Sequence, residues 1–308
     1  DTLSSEVATT RLRRPPGSRN PWHVLKLIQT LRRFNPDIIH AHQNSFAKIS
    51  RLLSAPMVLT VHDTNVKLES IESYSAIFCI SNAVRNDVLR RYPGTSPRVI
   101  YNGISSSKIP GKASYGKSPF RIVQISRLHH DKKGQDILLK ALQRLCGEKG
   151  EGRVLIDFIG EGTSREYLDA LADQLGVAKW CRFLGKLPRT AIYERLHTYD
   201  LLVQPSRYEG FGLTVVEAMA ARVPVLVSDI EGPMEVIENG KYGYSFRMGD
   251  YLDCSRKIAH IMTDSQGEAF KDKLKGIAEY ARGQFDVAST AGSYLAEYTK
   301  VIHQSTPA

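Results

Sequence analysis

Residues 204–221, QPSRYEGFGLTVVEAMAA, decide the fold. The stretch begins as the end of an apolar strand, passes through a Pro-Ser turn and a glycine-punctuated loop, and continues as an apolar helix from near Leu213. Glycines in such a loop let backbone amides face outward at a helix N-terminus, where a phosphate or a sugar oxygen can bind. The pattern therefore predicts an α/β unit with a ligand site at this loop.

Two carboxylates accompany the loop. Glu209 lies before the predicted helix, and Glu217 lies one turn inside it. Ligands of open α/β sheets bind at the carboxyl ends of the strands, so both side chains are predicted to line one crevice there. A single glutamate is more often a solvated surface group, and a Gly-rich loop is often only a turn, so the prediction depends on their combination.

Strands and helices alternate along most of the chain, the rhythm of parallel sheets. The segments predicted as strands are 37–41, 57–61, 76–80, 98–101, 120–125, 154–159, 181–184, 201–204, 223–227 and 244–246. The segments predicted as helices are 21–34, 134–145, 164–175 and 189–197, and only helices are predicted after 251. The fold class is therefore α/β with doubly wound parallel sheets.

The chain has 308 residues, more than the roughly 250 at which a single core stops growing, which favours two domains. Residues 105–118, SSSKIPGKASYGKS, have the composition of a linker. We predict a first α/β domain at 1–104, a linker at 105–118 and a second α/β domain at 119–285. A terminal helix at 286–308 is predicted to reach back to the first domain.

Net charge, apolar runs and cysteine spacing restrict which partners and sites the chain can have. A formal charge of +10 favours an anionic partner such as a nucleotide diphosphate, an acidic lipid or a nucleic acid. No apolar run approaches the roughly 18 residues of a membrane-spanning helix. The four cysteines are scattered, without CxxC pairs or histidines at zinc spacing, so we expect reduced thiols of a cytosolic protein and no metal site.

The combination of Glu209, the Gly-Phe-Gly segment and Glu217 resembles the E-x7-E signature of glycosyltransferase family 4. The resemblance implies a GT-B fold, two Rossmann-like domains that face a central cleft, with the donor on the second and the acceptor on the first. It implies that Glu209 holds sugar hydroxyls and that Glu217 accepts from both ribose hydroxyls, which suits a bidentate carboxylate. The donor is further implied to meet the loop at Phe211, Gly212, Leu213 and Thr214.

Residues 126–136, SRLHHDKKGQD, supply two cations beside a predicted helix start at Gly134. Arg127 can fork onto a diphosphate, and Lys133 can place a point charge on it. They resemble the family's Arg and Lys pair, which neutralises the departing nucleoside diphosphate. Lys132 remains an alternative for the second role, because some members have one fewer loop residue; we favour Lys133, directly before the glycine.

Two further segments of the predicted second domain match the family less specifically. The turn Gly160-Glu161-Gly162 resembles a Gly-acid-Gly turn near the nucleotide, and a purely structural turn is an equal alternative. Leu187 lies in 185–188, where the family cradles the nucleobase with backbone groups. We include all four residues in the predicted donor site.

His62 follows a predicted strand and resembles the family histidine that is presented near the sugar and the acceptor, so it is a candidate catalytic residue. His40 and His42 also match the family's strand pattern. Because alternate residues of a strand face one way, we predict that these two are structural.

The resemblance implies a retaining, metal-independent glycosyltransferase of the hexosyltransferase type. It would move a sugar from a nucleotide diphosphate sugar to a glycan or lipid-linked acceptor and use no further cofactor. The KKGQD segment is similar to enzymes of bacterial lipopolysaccharide and other surface polysaccharide synthesis. We expect a cytoplasmic protein whose N-terminal arginines can contact an acidic membrane, without a nucleic-acid partner.

Three alternatives stay open. A sugar-nucleotide epimerase or a phosphorylase would share the fold, and a basic membrane-surface binding module would need no activity. The family's opening strand and Gly-rich loop are not found before Pro36, so the first domain is expected to be incomplete at its start.

Overall fold

The computed structural model describes residues 6–11, 15, 20–115, 118–146, 154–265 and 267–305. The chain divides into two compact units. The first comprises the described residues up to Ile80, Val84–Ile100 and the described residues from Ala291. The second comprises Ser81–Ala83 and Tyr101–Thr290.

The first unit is built on a parallel sheet with strand order β1-β2-β3-β4. Helix α1 begins with Pro21 at its first turn, and the Asn20 side chain caps it by accepting from the Trp22 amide at 3.0 Å. In chain order the elements are α1 (Pro21–Phe34), β1 (Ile39–Ala41), β2 (Met57–Val61), β3 (Ala76–Cys79), α2 (Asn82–Arg91) and β4 (Arg98–Val99). A 3-10 helix covers Asn44–Leu52.

The second unit contains a six-stranded parallel sheet with strand order β10-β9-β8-β5-β6-β7. Its strands are β5 (Phe120–Ile125), β6 (Val154–Ile159), β7 (Cys181–Phe183), β8 (Leu201–Gln204), β9 (Val225–Ser228) and β10 (Tyr244–Phe246). The helices are α3 (His130–Lys133), α4 (Gln135–Cys146), α5 (Arg165–Gln174), α6 (Arg189–Leu196), α7 (Leu213–Ala220), α8 (Glu231–Val236), α9 (Tyr251–Asp264) and α10 (Glu268–Gln284). The final helix is α11 (Val287–Ser305). The α/β prediction with parallel sheets is confirmed.

The sheet order has one point where the chain reverses its direction of growth. β5 lies between β6 and β8, so the chain first adds strands on one side of β5 and then returns to add the others. Doubly wound sheets bind ligands at the carboxyl ends of the strands at such a switch point. The loops after β5 and β8 therefore occupy the ligand-binding position of this unit.

The core of the second unit lies between its sheet and the helices that cover it. Leu138 of α4, Leu168 of α5 and Ile258 of α9 belong to one cluster with the strand residues Ile122 and Ile156, and all five are fully buried. Burying a leucine or isoleucine side chain stabilises a fold by about 1.5–3 kcal/mol. This packing fixes the helices on the sheet, and thereby the positions of the loops that connect strands to helices.

Part of the segment predicted as a linker lies against the second unit. The buried ammonium of Lys112 is 2.9 Å from a carboxylate oxygen of Asp200 and also donates to the Tyr199 carbonyl at 2.8 Å. Farther back, the Ile104 amide donates to the Phe285 carbonyl at 2.8 Å. These contacts explain why the segment belongs to the second unit, which composition alone did not indicate.

The last helix, α11, contributes to the first unit from Ala291 onward. Tyr294 and Tyr298 pack against a small core cluster of that unit that includes Val58, Phe78 and Val301. The Tyr294 hydroxyl also shares a 3.0 Å hydrogen bond with Thr60. Among the described residues, no helix is long and apolar enough to cross a membrane.

Candidate functional site

Lys133 and Glu209 meet at the switch point. Lys133 ends α3, just after β5, and Glu209 lies in the loop after β8. The Lys133 Nζ lies 2.7 Å from Glu209 Oε2, and each side chain is less than one fifth exposed. The structure thus joins the cation predicted for the diphosphate to the carboxylate predicted for the sugar.

Gln204 is a second hydrogen-bond donor to the Glu209 carboxylate. This residue ends β8, is almost fully buried, and donates from Nε2 to Glu209 Oε2 at 2.7 Å. Its Oε1 is buried without a hydrogen-bond partner in the described structure. Since Lys133 and Gln204 both bond Oε2, the other carboxylate oxygen of Glu209 remains to accept from a ligand.

The backbone of the Lys133 loop is fixed by close packing. Gly134 is the C-cap of α3, in the left-handed region with φ +67°, and the next helix begins at Gln135 rather than at Gly134 as predicted. A Cβ at this position would lie 1.9 Å from the Pro205 carbonyl oxygen, so only glycine fits. Gln124 adds a hydrogen bond of 2.8 Å from its Nε2 to the Lys133 carbonyl.

Arg207 ties the loop after β8 to the start of α4. Its guanidinium makes two hydrogen bonds, of 2.9 and 2.8 Å, to the carboxylate of Asp136. Burial by itself would raise the pKa of Asp136, but the hydrogen bonds and charge of Arg207 lower it overall. Arg207 also donates to the His130 carbonyl at 2.8 Å, so one guanidinium joins the loop after β8 to both α3 and α4.

The loop after β6 packs directly on the loop after β5. A Cβ on Gly160 would lie 1.9 Å from the Ser126 carbonyl oxygen, and a Cβ on Gly162 would lie 2.2 Å from the Leu128 carbonyl oxygen. The Glu161 carbonyl accepts from the Leu128 amide at 2.9 Å. Close approach of two backbones accounts for both glycines and places the turn one residue away from Arg127.

Arg127 itself is exposed, and its guanidinium has no partner among the residues that the structure describes. Its backbone is held, because Gln135 Nε2 donates to the Arg127 carbonyl at 3.0 Å. An unneutralised cation on a fixed backbone is suited to an anionic ligand.

Glu217 sits inside α7 and is almost fully buried. Its Oε1 accepts from the Tyr193 hydroxyl at 3.3 Å and lies 3.9 Å from Arg189 Nε, both on α6. Burial raises the pKa of Glu217, and Arg189 and Tyr193 counteract this only in part. A weakly compensated buried carboxylate gains from the hydroxyl donors of a ligand.

Helix α7 begins directly after the second glycine of the Gly-Phe-Gly segment. Gly212 is its N-cap, with φ +108°, and the side chains of Leu213 and Thr214 are partly exposed in its first turn. The first amides of a helix have no partners inside it and attract anions. The Phe211 side chain is instead buried, stacked on Tyr101 at 5.8 Å, so only its backbone is suited to a ligand.

Leu187 lies just before α6 and is partly exposed. The loop that contains it is joined to the loop after β6, because the Gly160 amide donates to the Gly185 carbonyl at 2.8 Å. The predicted donor residues of the second unit are therefore carried by loops that follow β5, β6, β7 and β8.

His62 belongs to the first unit, directly after β2. Its Nε2 lies 2.8 Å from His42 Nδ1, and both rings line a cavity of about 510 Å³. His40 is held by Thr60 at 2.7 Å and by the Tyr298 hydroxyl at 2.5 Å, which agrees with a structural role.

Sequence reasoning missed Gln204, Arg207 as a clamp, and the α6 pair Tyr193 and Arg189. Gln204 carried one readable signal, since it is a polar residue at the end of an apolar strand just before the decisive loop. In the described part of the chain, no group of three or more His, Cys, Asp or Glu residues is arranged to hold a metal ion.

Two family models match the chain. The family model for glycosyl transferases group 1 matches residues 106–284, more than half of the chain, and the model for glycosyltransferase family 4 matches residues 3–108. A glycogen synthase of Mycobacterium tuberculosis is 28% identical over 302 residues, covering 88% of this chain and 72% of that protein. A phosphatidyl-myo-inositol mannosyltransferase of Mycobacterium leprae is 27% identical over 283 residues, covering 86% of this chain and 74% of that protein.

Among solved structures, Anabaena HepE in complex with UDP and glucose has a TM-score of 0.79 at 22% sequence identity. The match covers 93% of this chain and 84% of HepE, and it shows that the two parallel-sheet units are those of the GT-B fold. The chain therefore belongs to the glycosyl transferases group 1 family and is a glycosyltransferase of the hexosyltransferase type.

Proposed function

We propose that this glycosyltransferase takes its sugar from a nucleotide diphosphate sugar bound at the switch point of the second unit. The observation that carries the proposal is the contact between Lys133 and Glu209, 2.7 Å apart at the carboxyl ends of β5 and β8. One group suits the diphosphate and the other suits the sugar hydroxyls. Glu217 and Leu187 would hold the nucleoside.

The charge of the diphosphate would be met by Arg127, Lys133 and the first amides of α7. Preorganised cations and amides stabilise the charge that develops on a leaving group without needing to reorganise. The supply of these groups supports a metal-independent enzyme with no further cofactor. Transfer that persists at full rate in excess EDTA is the expected result.

We propose that transfer proceeds with retention. The bond between the anomeric carbon and the diphosphate breaks, the bond to the acceptor oxygen forms on the same face, and the leaving phosphate takes the acceptor proton. No protein base is needed for this step. Proton NMR of the first product should show the anomeric configuration of the donor; the opposite configuration would refute retention.

We further propose a glycan or lipid-linked acceptor of bacterial surface polysaccharide or lipopolysaccharide synthesis, used at the cytoplasmic face of the membrane. The relative whose name states a lipid acceptor, the mannosyltransferase, supports this class. The net charge of +10 favours contact with anionic lipid. Lipid-linked saccharides should therefore be tested as acceptors before free sugars.

The first experiment is a thermal-shift screen of the chain against UDP, GDP and ADP and their common sugars. A ligand that binds only the native state at 100 times its dissociation constant stabilises it by about 2.7 kcal/mol. For a unit of this size we expect a rise in Tm of several degrees with one nucleotide series. Transfer of a radiolabelled sugar from the same donor then separates a transferase from an epimerase.

Replacing Glu217 by Gln should weaken binding of the nucleotide sugar about 10-fold, because hydrogen bonds to a charged acceptor are worth about 1.5–3 kcal/mol. The wild-type affinity should also fall as the pH is lowered through the raised pKa of Glu217, since protonation removes the charged acceptor. Calorimetric titrations between pH 5 and 8 measure both effects. The diphosphate of a nucleotide sugar does not titrate in this range.

Glu268→Gln is the matched control, because Glu268 lies in the first turn of α10 and its side chain is exposed. It should leave affinity and pH dependence unchanged. Equal affinities for Glu217→Gln and the wild type, with the same pH dependence, would remove Glu217 from the nucleoside site.

A further inference from the structure

Three histidines of the first unit form one stack. The ring centroids of His40 and His42 lie 4.2 Å apart, and those of His42 and His62 lie 5.1 Å apart with planes inclined by 29°. His40 lies within β1 and His42 directly follows that strand, two residues on, while His62 directly follows the neighbouring strand β2. The parallel pairing of β1 with β2 is what brings the three rings together.

The stack is anchored at one end and open at the other. His40 is fixed on both ring nitrogens, by Thr60 and by Tyr298. His42 and His62 line the cavity of about 510 Å³ together with Asn44. His40 is thus hydrogen-bonded on both ring nitrogens, whereas His42 and His62 face the cavity.

The hydrogen bond between His42 Nδ1 and His62 Nε2, 2.8 Å long, constrains both rings. A hydrogen bond between two imidazoles needs one N–H and one lone pair, so both nitrogens cannot carry a proton at once. Burial lowers the pKa of His42 and of His62, and their mutual charge lowers that of His62 further. Both rings are therefore mainly neutral near pH 7, and the bond couples their tautomers, because a proton on one of the two facing nitrogens requires a lone pair on the other.

The bond leaves Nδ1 as the nitrogen of His62 that can meet a ligand. Whether that atom carries a proton is decided by which way the bond to His42 points. His42 thus controls both the angle of the His62 ring and the hydrogen-bonding character of its remaining nitrogen.

We propose that His42 is a positioning residue for His62, holding it in a single tautomer for a polyhydroxyl substrate. The inference rests on the proposed function, with His62 as the catalytic candidate that the family resemblance implies. His42 was expected to be structural; the geometry gives it a part in setting the chemistry of its neighbour. The charged and titratable groups around the pair are His40, Lys48, Asp63, Lys67, Glu69, Tyr294 and Tyr298.

The first readout needs no substrate. Nitrogen-15 NMR of the full chain distinguishes the two neutral tautomers of His62 by the chemical shifts of its ring nitrogens. We expect one tautomer in the wild type and a mixture in His42→Leu, whereas His42→Asn restores the hydrogen bond but, with both an oxygen and an NH2 to offer, does not select a tautomer. The amide of Asn can replace Nδ1 of His42 as a hydrogen-bond partner, whereas Leu cannot.

The second readout is the slow hydrolysis of the nucleotide sugar that stabilises the chain, with water as acceptor. His42→Leu should lower the rate constant about 10-fold, since a small misplacement of a reacting group can cost up to about 100-fold. His42→Asn should recover most of the rate, and the dissociation constant for the nucleotide sugar should stay within about 2-fold in both. His260→Asn, on the exposed side of α9, is the control.

A mixture of tautomers in the wild type, or an unchanged single tautomer in His42→Leu, overturns the proposal. If His42→Leu does not fold, the wild-type spectrum still decides, because a mixture of tautomers in the wild type by itself refutes the proposal. An absence of any nucleotide-sugar binding would instead count against the proposed function and leaves the NMR result standing on its own.

Discussion

Replacing Lys133 by Met is expected to lower the turnover number for sugar transfer by about 10²–10³-fold. Removing one preorganised group that stabilises a developing negative charge has this effect in other enzymes. Met keeps the length and much of the apolar stem of Lys133, which is mostly buried, so the change removes the charge with little loss of packing. Initial rates with saturating donor, for the wild type and the variant, measure the effect.

Lys132→Met is the matched control for this experiment. The two lysines are adjacent; Lys133 contacts Glu209 and directly precedes the glycine that fixes the loop. The control should retain turnover within about 3-fold. A large loss in Lys132→Met together with a small loss in Lys133→Met would transfer the role to Lys132 and would show that the contact with Glu209 is only structural.

The same contact has a consequence for donor binding. In the structure, Lys133 Nζ and Gln204 Nε2 both donate to Glu209 Oε2 at 2.7 Å. In the proposed donor site, a diphosphate would offer Lys133 a second anion, and Gln204 would keep Glu209 in place if the lysine turned to it. Positioning Glu209 would also account for the buried Gln204 amide, whose Oε1 has no hydrogen-bond partner in the described structure.

The strands of the second unit could be predicted well because they are apolar runs in a fully buried parallel sheet. Four predicted strands match the observed bounds, including β5 and β8, which define the switch point. The predicted helix start near Leu213 is also observed. Local patterns suffice here, since burial on both faces leaves a continuous apolar signal between turn residues.

Other features depend on contacts between segments far apart in sequence, which local patterns cannot specify. The pairing of Lys133 with Glu209 joins positions 76 apart, and the clamp from Arg207 to Asp136 joins positions 71 apart. The Lys112 to Asp200 contact likewise holds a segment whose Ser, Gly and Pro content resembles a linker. Only the strand order of the folded sheet brings these partners together.

Gly134→Ala is expected to destabilise the second unit by about 3–4 kcal/mol, a large effect for a single added methyl group. Two causes add. The left-handed backbone, with φ +67°, costs a residue with a Cβ about 1–2 kcal/mol, and the new methyl carbon would lie 1.9 Å from the Pro205 carbonyl oxygen. The loop after β5 must then move away from the loop after β8, which also separates Lys133 from Glu209.

Gly176→Ala isolates the first cause from the second. Gly176 has nearly the same backbone conformation, φ +68°, but nothing lies within 4 Å of the position its Cβ would take. Urea unfolding followed by circular dichroism should therefore give a loss of about 1 kcal/mol for Gly176→Ala and a clearly larger loss for Gly134→Ala. Equal losses of unfolding free energy in the two variants would mean that the loops after β5 and β8 can move apart without strain. The close packing at Gly134 would then not fix the position of Lys133.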